Sequence, residues 1–215
     1  MPRTLLLAQD LPNPDVLNEA AEILRIGQLL VFPVNSGYVI GCDPFNSNAT
    51  RHLNEVRGHV IDNIQTIVFS DLAAAGEVIE DKEIPSAVVD ALYSGDLTIV
   101  FNRIESFRPA ITEFDELVSI NFPAHPLIRE LLRLSGPCAV SAAAPVGIGL
   151  PASIEDPQNY FGEHVDLYLD AGTTLGGSST VINWTQRLPV LVRQGQFPIE
   201  ELMKIFPYLE DTDPT

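Results

Sequence analysis

Lysine is nearly missing from this sequence. Lys82 and Lys204 are the only two, and with the arginines they bring the basic residues to 12, against 29 acidic ones, for a formal net charge of −17. So acidic a surface keeps a protein soluble and repels polyanions. It argues against broad nucleic-acid binding, which depends on neutralising phosphates with cations, and binding to duplex RNA is expected to be weak or absent at physiological salt. Cysteine is almost as scarce. Cys42 and Cys138 stand alone, without partners at metal-ligand spacing. The expectation is two small buried residues of a cytoplasmic protein, with no metal site of its own. Long apolar runs are missing too, so no membrane partner is expected. The opening "MPRTLLLAQDLPNP" has a short apolar piece but no small-residue cleavage site, and it reads as no signal peptide.

What is present is a regular alternation of helical and extended patterns. A hydrophobic content of 46% over 215 residues suffices for one substantial core. Asn13-Pro14 reads as a helix start, with Val16, Leu17, Ala20, Ile23 and Leu24 at helical spacing and Gly27 as the stop. "LLVF" (29–32) reads as a fully buried strand. Ser47 is the expected cap of a second helix ending near Gly58, and Ser70 the expected cap of a short third. Further strands are expected at 65–69, 97–101, 117–122, 138–141 and 165–170, with "LVSINF" alternating as a half-buried strand does. "TVINW" (180–184) and "LPVLVR" (188–193) are close enough to form a hairpin. Helices are expected at 86–95, 125–136, 155–161 and 197–206. The pattern implies an α/β fold, a single layered domain with a mixed sheet, over residues 1–208, followed by a mobile acidic tail from 209 to 215.

Four segments share one property. "PVNSGY" (33–38), "SAAAPVG" (141–147), "GGSST" (176–180) and "RQG" (193–195) each follow or end an expected strand, and each is rich in Gly, Ser, Asn or Ala. Strand ends are where α/β sheets bind ligands, and hydroxyls with exposed amides suit phosphate or carboxylate. Taken singly, each of these is an ordinary turn. "RGH" (57–59), at an expected helix end, adds Arg57 and His59.

The order of the segments is the stronger signal. "GQLLVFPVNSGYVIGCD" resembles a strand followed by Pro-Thr-Glu-Thr-x-Tyr-Gly-Leu in the YrdC-like family, and "VRGHV" falls where that family has Lys-x-Arg. "SGDLTIVF" is similar to its Pro-Gly-x-Leu-Thr strand, "VSINFPAHPL" to its Arg-x-Pro-x-His-Pro segment, and "VSAAA" to Ser-Ala-Asn. "GGSSTVIN" and "LVRQG" are similar to its Ser-Thr-Val strand and its Arg-x-Gly ending. The likeness spans about residues 13 to 200. It implies a twisted mixed β-sheet flanked by helices around a large concave cavity. It also implies an L-threonylcarbamoyladenylate synthase, a nucleotidyltransferase of tRNA modification that joins bicarbonate, threonine and ATP with Mg²⁺ and releases pyrophosphate. Carried over position by position, Arg57, His59 and Arg193 would be catalytic. Pro33, Asn35, Ser36, Tyr38, Asn121, Ser141, Ala143, Ser179 and Thr180 would bind nucleotide and substrate.

Several of those positions depart from the family pattern. Its Lys is Arg57, its next cation is His59, the Arg of its central strand is Asn121, and the Asn of Ser-Ala-Asn is Ala143. Val34 and Asn35 replace Thr and Glu. Catalysis at an α-phosphate relies on fixed positive charge. Each charge-assisted hydrogen bond removed costs about 1.5–3 kcal/mol. The expectation is therefore a divergent paralogue that binds a nucleotide or small acid in the family cavity, with impaired threonylcarbamoyl-AMP synthase activity. The alternatives are a fully active synthase and, against the charge, double-stranded RNA binding.

Overall fold

Capping side chains, those of Asn13, Asn46, Asp71 and His125, mark the starts of four helices. The computed structural model describes residues 3–7, 13–58, 66–80, 83–110 and 116–211. Its first strand and helix are β1 (Thr4–Leu6) and α1 (Pro14–Arg25), with Asn13 Oδ1 accepting from the Asp15 amide at 3.0 Å. Next come β2 (Leu30–Val34), β3 (Gly37–Cys42) and α2 (Ser47–Arg57). The cap of α2 is Asn46 rather than Ser47. Its carboxamide oxygen accepts from the Asn48 and Ala49 amides, a reach that the serine, already inside the first turn, does not have. The same one-residue correction applies farther on. After β4 (Thr66–Val68), helix α3 (Leu72–Gly76) is capped by Asp71, which accepts from the Ala74 amide, while Ser70 donates to the Asp71 carboxylate.

The remaining elements are α4 (Ser86–Tyr93), β5 (Leu97–Asn102), β6 (Leu117–Asn121), α5 (Pro126–Ser135), β7 (Cys138–Ala142), α6 (Glu155–Phe161), β8 (Leu167–Asp170), β9 (Thr180–Asn183), β10 (Val190–Arg193), α7 (Ile199–Ile205) and β11 (Glu210–Asp211). The strands form a single mixed sheet in the order β1-β8-β2-β3-β7-β4-β6-β5-β9-β10-β11. The expected hairpin of β9 and β10 is antiparallel, and β11 then adds in parallel to β10. Chain from the expected tail is thus taken up as an edge strand at Glu210–Asp211; residues 212–215 lie outside the described residues. No helix among the described residues is long and apolar enough to cross a membrane.

Three apolar clusters hold the layers together. One face of β2, β3, β7 and β8 packs on α1 and α5 through Phe32, Val39, Leu24 and Leu131. The other face packs on α2 and α6 through Tyr38, Ile40, Leu53 and Phe161. The second half of the sheet packs on α3, α4 and α7 through Ile99, Ile120, Ala75, Val88 and Leu202. In β6 the expected half-buried alternation is corrected. Val118 and Ile120 join the last of these cores, but Ser119 and Asn121 are buried as well, because their face turns inward toward the cavity and the neighbouring strands, where Ser119 meets Thr66 and Asn121 meets the Gly95 and Leu97 carbonyls. Cys42 and Cys138 are both buried free thiols.

The sheet is strongly coiled. Strands β3 and β5 are four steps apart in the sheet, about 19 Å if it were flat. Yet Asn35, in the two-residue turn between β2 and β3, donates to the Ser94 carbonyl just before β5 and accepts from the Ala124 amide. Gly95 leaves room for this contact. A Cβ there would sit 2.7 Å from the Asn35 side chain, and its φ of +79° suits glycine in any case.

Candidate functional site

Coiling brings strand ends from opposite halves of the sheet around one cavity of about 690 Å³. Its apolar floor comes from adjacent strands: Val34 of β2, Val39 of β3, Val140 of β7 and Val68 of β4. Its polar wall comes from Thr98 of β5, Asn121 of β6, Ser178 and Ser179 before β9, and Arg193 at the end of β10. The loop from Val146 to Leu150 closes one side, and Arg57 enters from the last turn of α2.

Both arginines are held by carbonyl oxygens. Arg57 Nε donates to Ala142 O at 3.1 Å and Ala144 O at 3.4 Å. Arg193 donates through Nε (3.2 Å) and Nη2 (3.0 Å) to Ser179 O, and Nη2 lies 3.4 Å from Ser179 Oγ. No aspartate or glutamate among the described residues lines the cavity. Among the described residues, the ion pairs of Arg3, Arg25, Arg51, Arg108, Arg133 and Lys204 are made elsewhere, and neither Arg57 nor Arg193 has a carboxylate partner. Burial lowers the pKa of both guanidiniums. In a chain of net charge −17 this is a pocket whose positive charge no described residue compensates.

The residues singled out from the sequence divide into two groups. Ser36, Arg57, Asn121, Ser141, Ser179 and Arg193 line the cavity together. Pro33, Asn35, Tyr38, Ala143 and Thr180 do not, and here the expectation is corrected. Side chains alternate along β2 and β3, so when Val34 and Val39 face the cavity, Pro33 and Tyr38 face away. Tyr38 is fully buried; its hydroxyl donates to Gly172 O at 2.6 Å and accepts from the Ala171 amide at 3.0 Å. Burial pushes its pKa up to about 12. Asn35 ties the turn to Ser94 and Ala124, as described above. Ala143 is fully buried beside Tyr38, with its amide bonded to Tyr38 O. The Thr180 hydroxyl donates to Phe197 O and accepts from the Gly195 amide. His59 lies outside the described residues.

Asn121 faces the cavity, but its amide is engaged. Nδ2 is within hydrogen-bond distance of Gly95 O (3.0 Å), Leu97 O (2.8 Å) and Thr98 Oγ1 (3.3 Å). Thr66, Thr98 and Ser178 escaped the sequence reading. The signal for the first two was a lone threonine inside each of the otherwise apolar runs "TIVF" and "LTIVF". Among the described residues, nothing offers magnesium, which the resemblance implies, a protein-held position. Hard divalent cations take oxygen ligands with carboxylates among them. The lining has none, and no cluster of three potential metal ligands occurs among the described residues.

The profile of the Sua5/YciO/YrdC family, described as telomere recombination, matches residues 22–195. The chain belongs to this family. It is 32% identical over 192 residues to the threonylcarbamoyl-AMP synthase of Pyrococcus abyssi, covering 86% of this chain and 56% of that protein. It is 30% identical over 188 residues to a putative threonylcarbamoyl-AMP synthase of Mycobacterium tuberculosis, covering 86% and 87%. The crystal structure of P. abyssi Sua5 complexed with L-threonine superposes with a TM-score of 0.87 at 28% identity, over 97% of this chain and 62% of that one. The present chain therefore spans little more than half the length of the P. abyssi relative. The mixed sheet flanked by helices is the architecture of this Sua5/YciO/YrdC domain.

Proposed function

We propose that the cavity binds a nucleotide together with a small carboxylate, threonine in the first instance, and that the chain is a threonylcarbamoyl-AMP synthase-type nucleotidyltransferase with a weakened adenylation step. The observation that carries this reading is that, among the described residues, the cavity is lined by no acid and neither Arg57 nor Arg193 has a carboxylate partner. A guanidinium cannot lose its proton in a protein, and it offers a donor fork to phosphate or carboxylate oxygens. The hydroxyls of Ser36, Ser141, Ser178 and Ser179 add neutral partners for the same oxygens, and the valine floor suits the flat face of a base or an aliphatic side chain.

In the synthase reaction the carbamate formed from the threonine amine and bicarbonate attacks the α-phosphorus of ATP, and the bond to the departing pyrophosphate breaks. Charge accumulates on the phosphate oxygens, where fixed cations act most strongly. This chain offers Arg57 and Arg193 there. Asn121, at the position of a family arginine, contributes no charge and directs its amide at Gly95 and Leu97, which supports a slow step.

Pyrophosphate release from ATP, threonine and bicarbonate tests the reading. The expected turnover is measurable, dependent on all three substrates and slower than about 1 s⁻¹, the low end of ordinary enzymes. Faster turnover overturns the weakened step, and no binding of ATP or threonine at millimolar concentration overturns the whole proposal. Duplex RNA is expected not to bind with sub-micromolar affinity, because the net charge of −17 opposes a polyanion.

A further inference from the structure

The wall of the cavity contains a hydrogen-bonded row that links three strands and the approach to a fourth. Asn121 Nδ2 of β6 lies 3.3 Å from Thr98 Oγ1 of β5, Thr98 Oγ1 lies 2.8 Å from Ser179 Oγ just before β9, and Ser179 Oγ lies 3.4 Å from Nη2 of Arg193 on β10. The orientation of the Asn121 amide follows from its neighbours. Gly95 O and Leu97 O can only accept, so the atom facing them is the nitrogen. The row therefore begins and ends with groups that cannot accept, an amide NH₂ whose two protons are shared among three oxygens and a guanidinium, with two hydroxyls between them.

Two hydroxyls bring two protons, and the contact between them takes up one. The other must leave the row. If Ser179 donated to Thr98, the surplus proton would sit on Thr98, which borders the cavity but is only 2% exposed, against a half-buried Ser179, and has no other hydroxyl partner among the described residues. A buried donor left unmade is costly. If Thr98 donates to Ser179, the surplus proton sits on Ser179, which lines the cavity. The second arrangement leaves nothing unsatisfied once a ligand oxygen is present.

Building on the anion-binding reading above, we infer that Thr98 and Asn121 are positioning residues that hold the Ser179 hydroxyl as an obligate donor into the cavity. At that point the site then takes a group that only accepts, a phosphate or carboxylate oxygen, and disfavours one that must donate, such as an ammonium or amide. Thr98 and Asn121 act on the ligand through Ser179.

The test is calorimetric titration of ATP and of inorganic pyrophosphate into the whole chain, with thermal unfolding measured beside each titration. Thr98→Val keeps the shape of a central-strand residue and removes the hydroxyl; it is expected to weaken both ligands about 3- to 10-fold. Thr98→Ser is expected to restore binding. Ser179→Ala is expected to weaken binding at least as much as Thr98→Val. Adding Thr98→Val to Ser179→Ala is expected to weaken it no further, since Thr98 borders the cavity but, at 2% exposure, acts on the ligand through Ser179 rather than by direct contact. If Thr98→Val fails to fold, Thr98→Ala is read in the same cycle. Wild-type affinity in Thr98→Val, or losses that multiply in the double variant, overturns the relay while leaving the anion site in place. Absence of ATP and pyrophosphate binding in the unaltered protein overturns the anion site, and the relay with it.

Discussion

The β2–β3 end of the cavity and the β9–β10 end were equally polar in the sequence, and the fold uses them in opposite ways. At the first, "PVNSGY" sends only Val34 and Ser36 to the cavity, while Pro33 and Tyr38 turn into the core and Asn35 staples the turn to the loop before β5. At the second, Ser178, Ser179 and Arg193 all face the cavity. The difference comes from backbone form. A tight antiparallel hairpin alternates its side chains strictly between faces. The chain leading into β9 is irregular, and it is pinned by Gln196, whose backbone amide donates to Ser178 O and whose side chain donates to Gly176 O. Irregular backbone can aim consecutive side chains into one space.

The contrast can be tested from its strongest element down. Removing both cations with Arg57→Ala and Arg193→Ala should weaken ATP binding by about 100-fold or more, since each charge-assisted hydrogen bond is worth about 1.5–3 kcal/mol and about 1.4 kcal/mol is a factor of ten. Titration of the double variant, with circular dichroism to check the fold, reads this out. Gly195→Ala comes next. A Cβ at Gly195 would lie against the backbone of Ser178 and Ser179, which has no flexible side chain to yield. The expected loss is about 1–3 kcal/mol or more of stability in denaturant titration, accompanied by weaker ATP binding.

The hairpin end should behave otherwise. Tyr38→Phe leaves Gly172 O and the Ala171 amide without their partner and should lower stability by about 1–2 kcal/mol. ATP affinity should stay within about twofold, because the hydroxyl lies on the far side of the sheet from the cavity. A large loss of affinity with unchanged stability would break the comparison.

The smallest effect concerns pH. His125 caps α5 by accepting from the Leu127 amide through Nδ1, and desolvation lowers its pKa in the fold. A folded-state pKa below the unfolded value of about 6.5 means that the neutral form is favoured by folding. Its contribution is therefore complete above about pH 6.5 and lost as the pH falls from there through the lowered folded value. Thermal unfolding across pH 7.5 to 5 should show this decline, and His125→Asn, which can still cap, should flatten it.

Much of the fold was legible because its signals are local. The helical spacing after Asn13-Pro14, the apolar run "LTIVF" and the amphipathic stretch after His125 each encode one element through nearest neighbours. The helix starts at Ser47 and Ser70 were misplaced by one residue because serine, asparagine and aspartate cap by the same chemistry, and only the backbone decides which one stands outside the first turn. The site was legible at Arg57, Ser36, Ser141, Ser179 and Arg193, where ordered motifs place polar groups at strand ends. It was not legible at Thr98, whose role depends on the parallel pairing of β5 with β9, in which Thr98 stands opposite Val181, far along the chain.

By itself the sequence determined the element types, the mixed character of the sheet, the excess of negative charge and the ordered polar motifs at the strand ends, because these follow from composition, periodicity and order. The tertiary structure decided which polar residues face the cavity and which are bound up in the core. Coiling of the sheet brings β2 and β10 to one space, and the pleat then assigns each side chain to a face. Neither the curvature nor the register can be read from a residue's own neighbours in the chain.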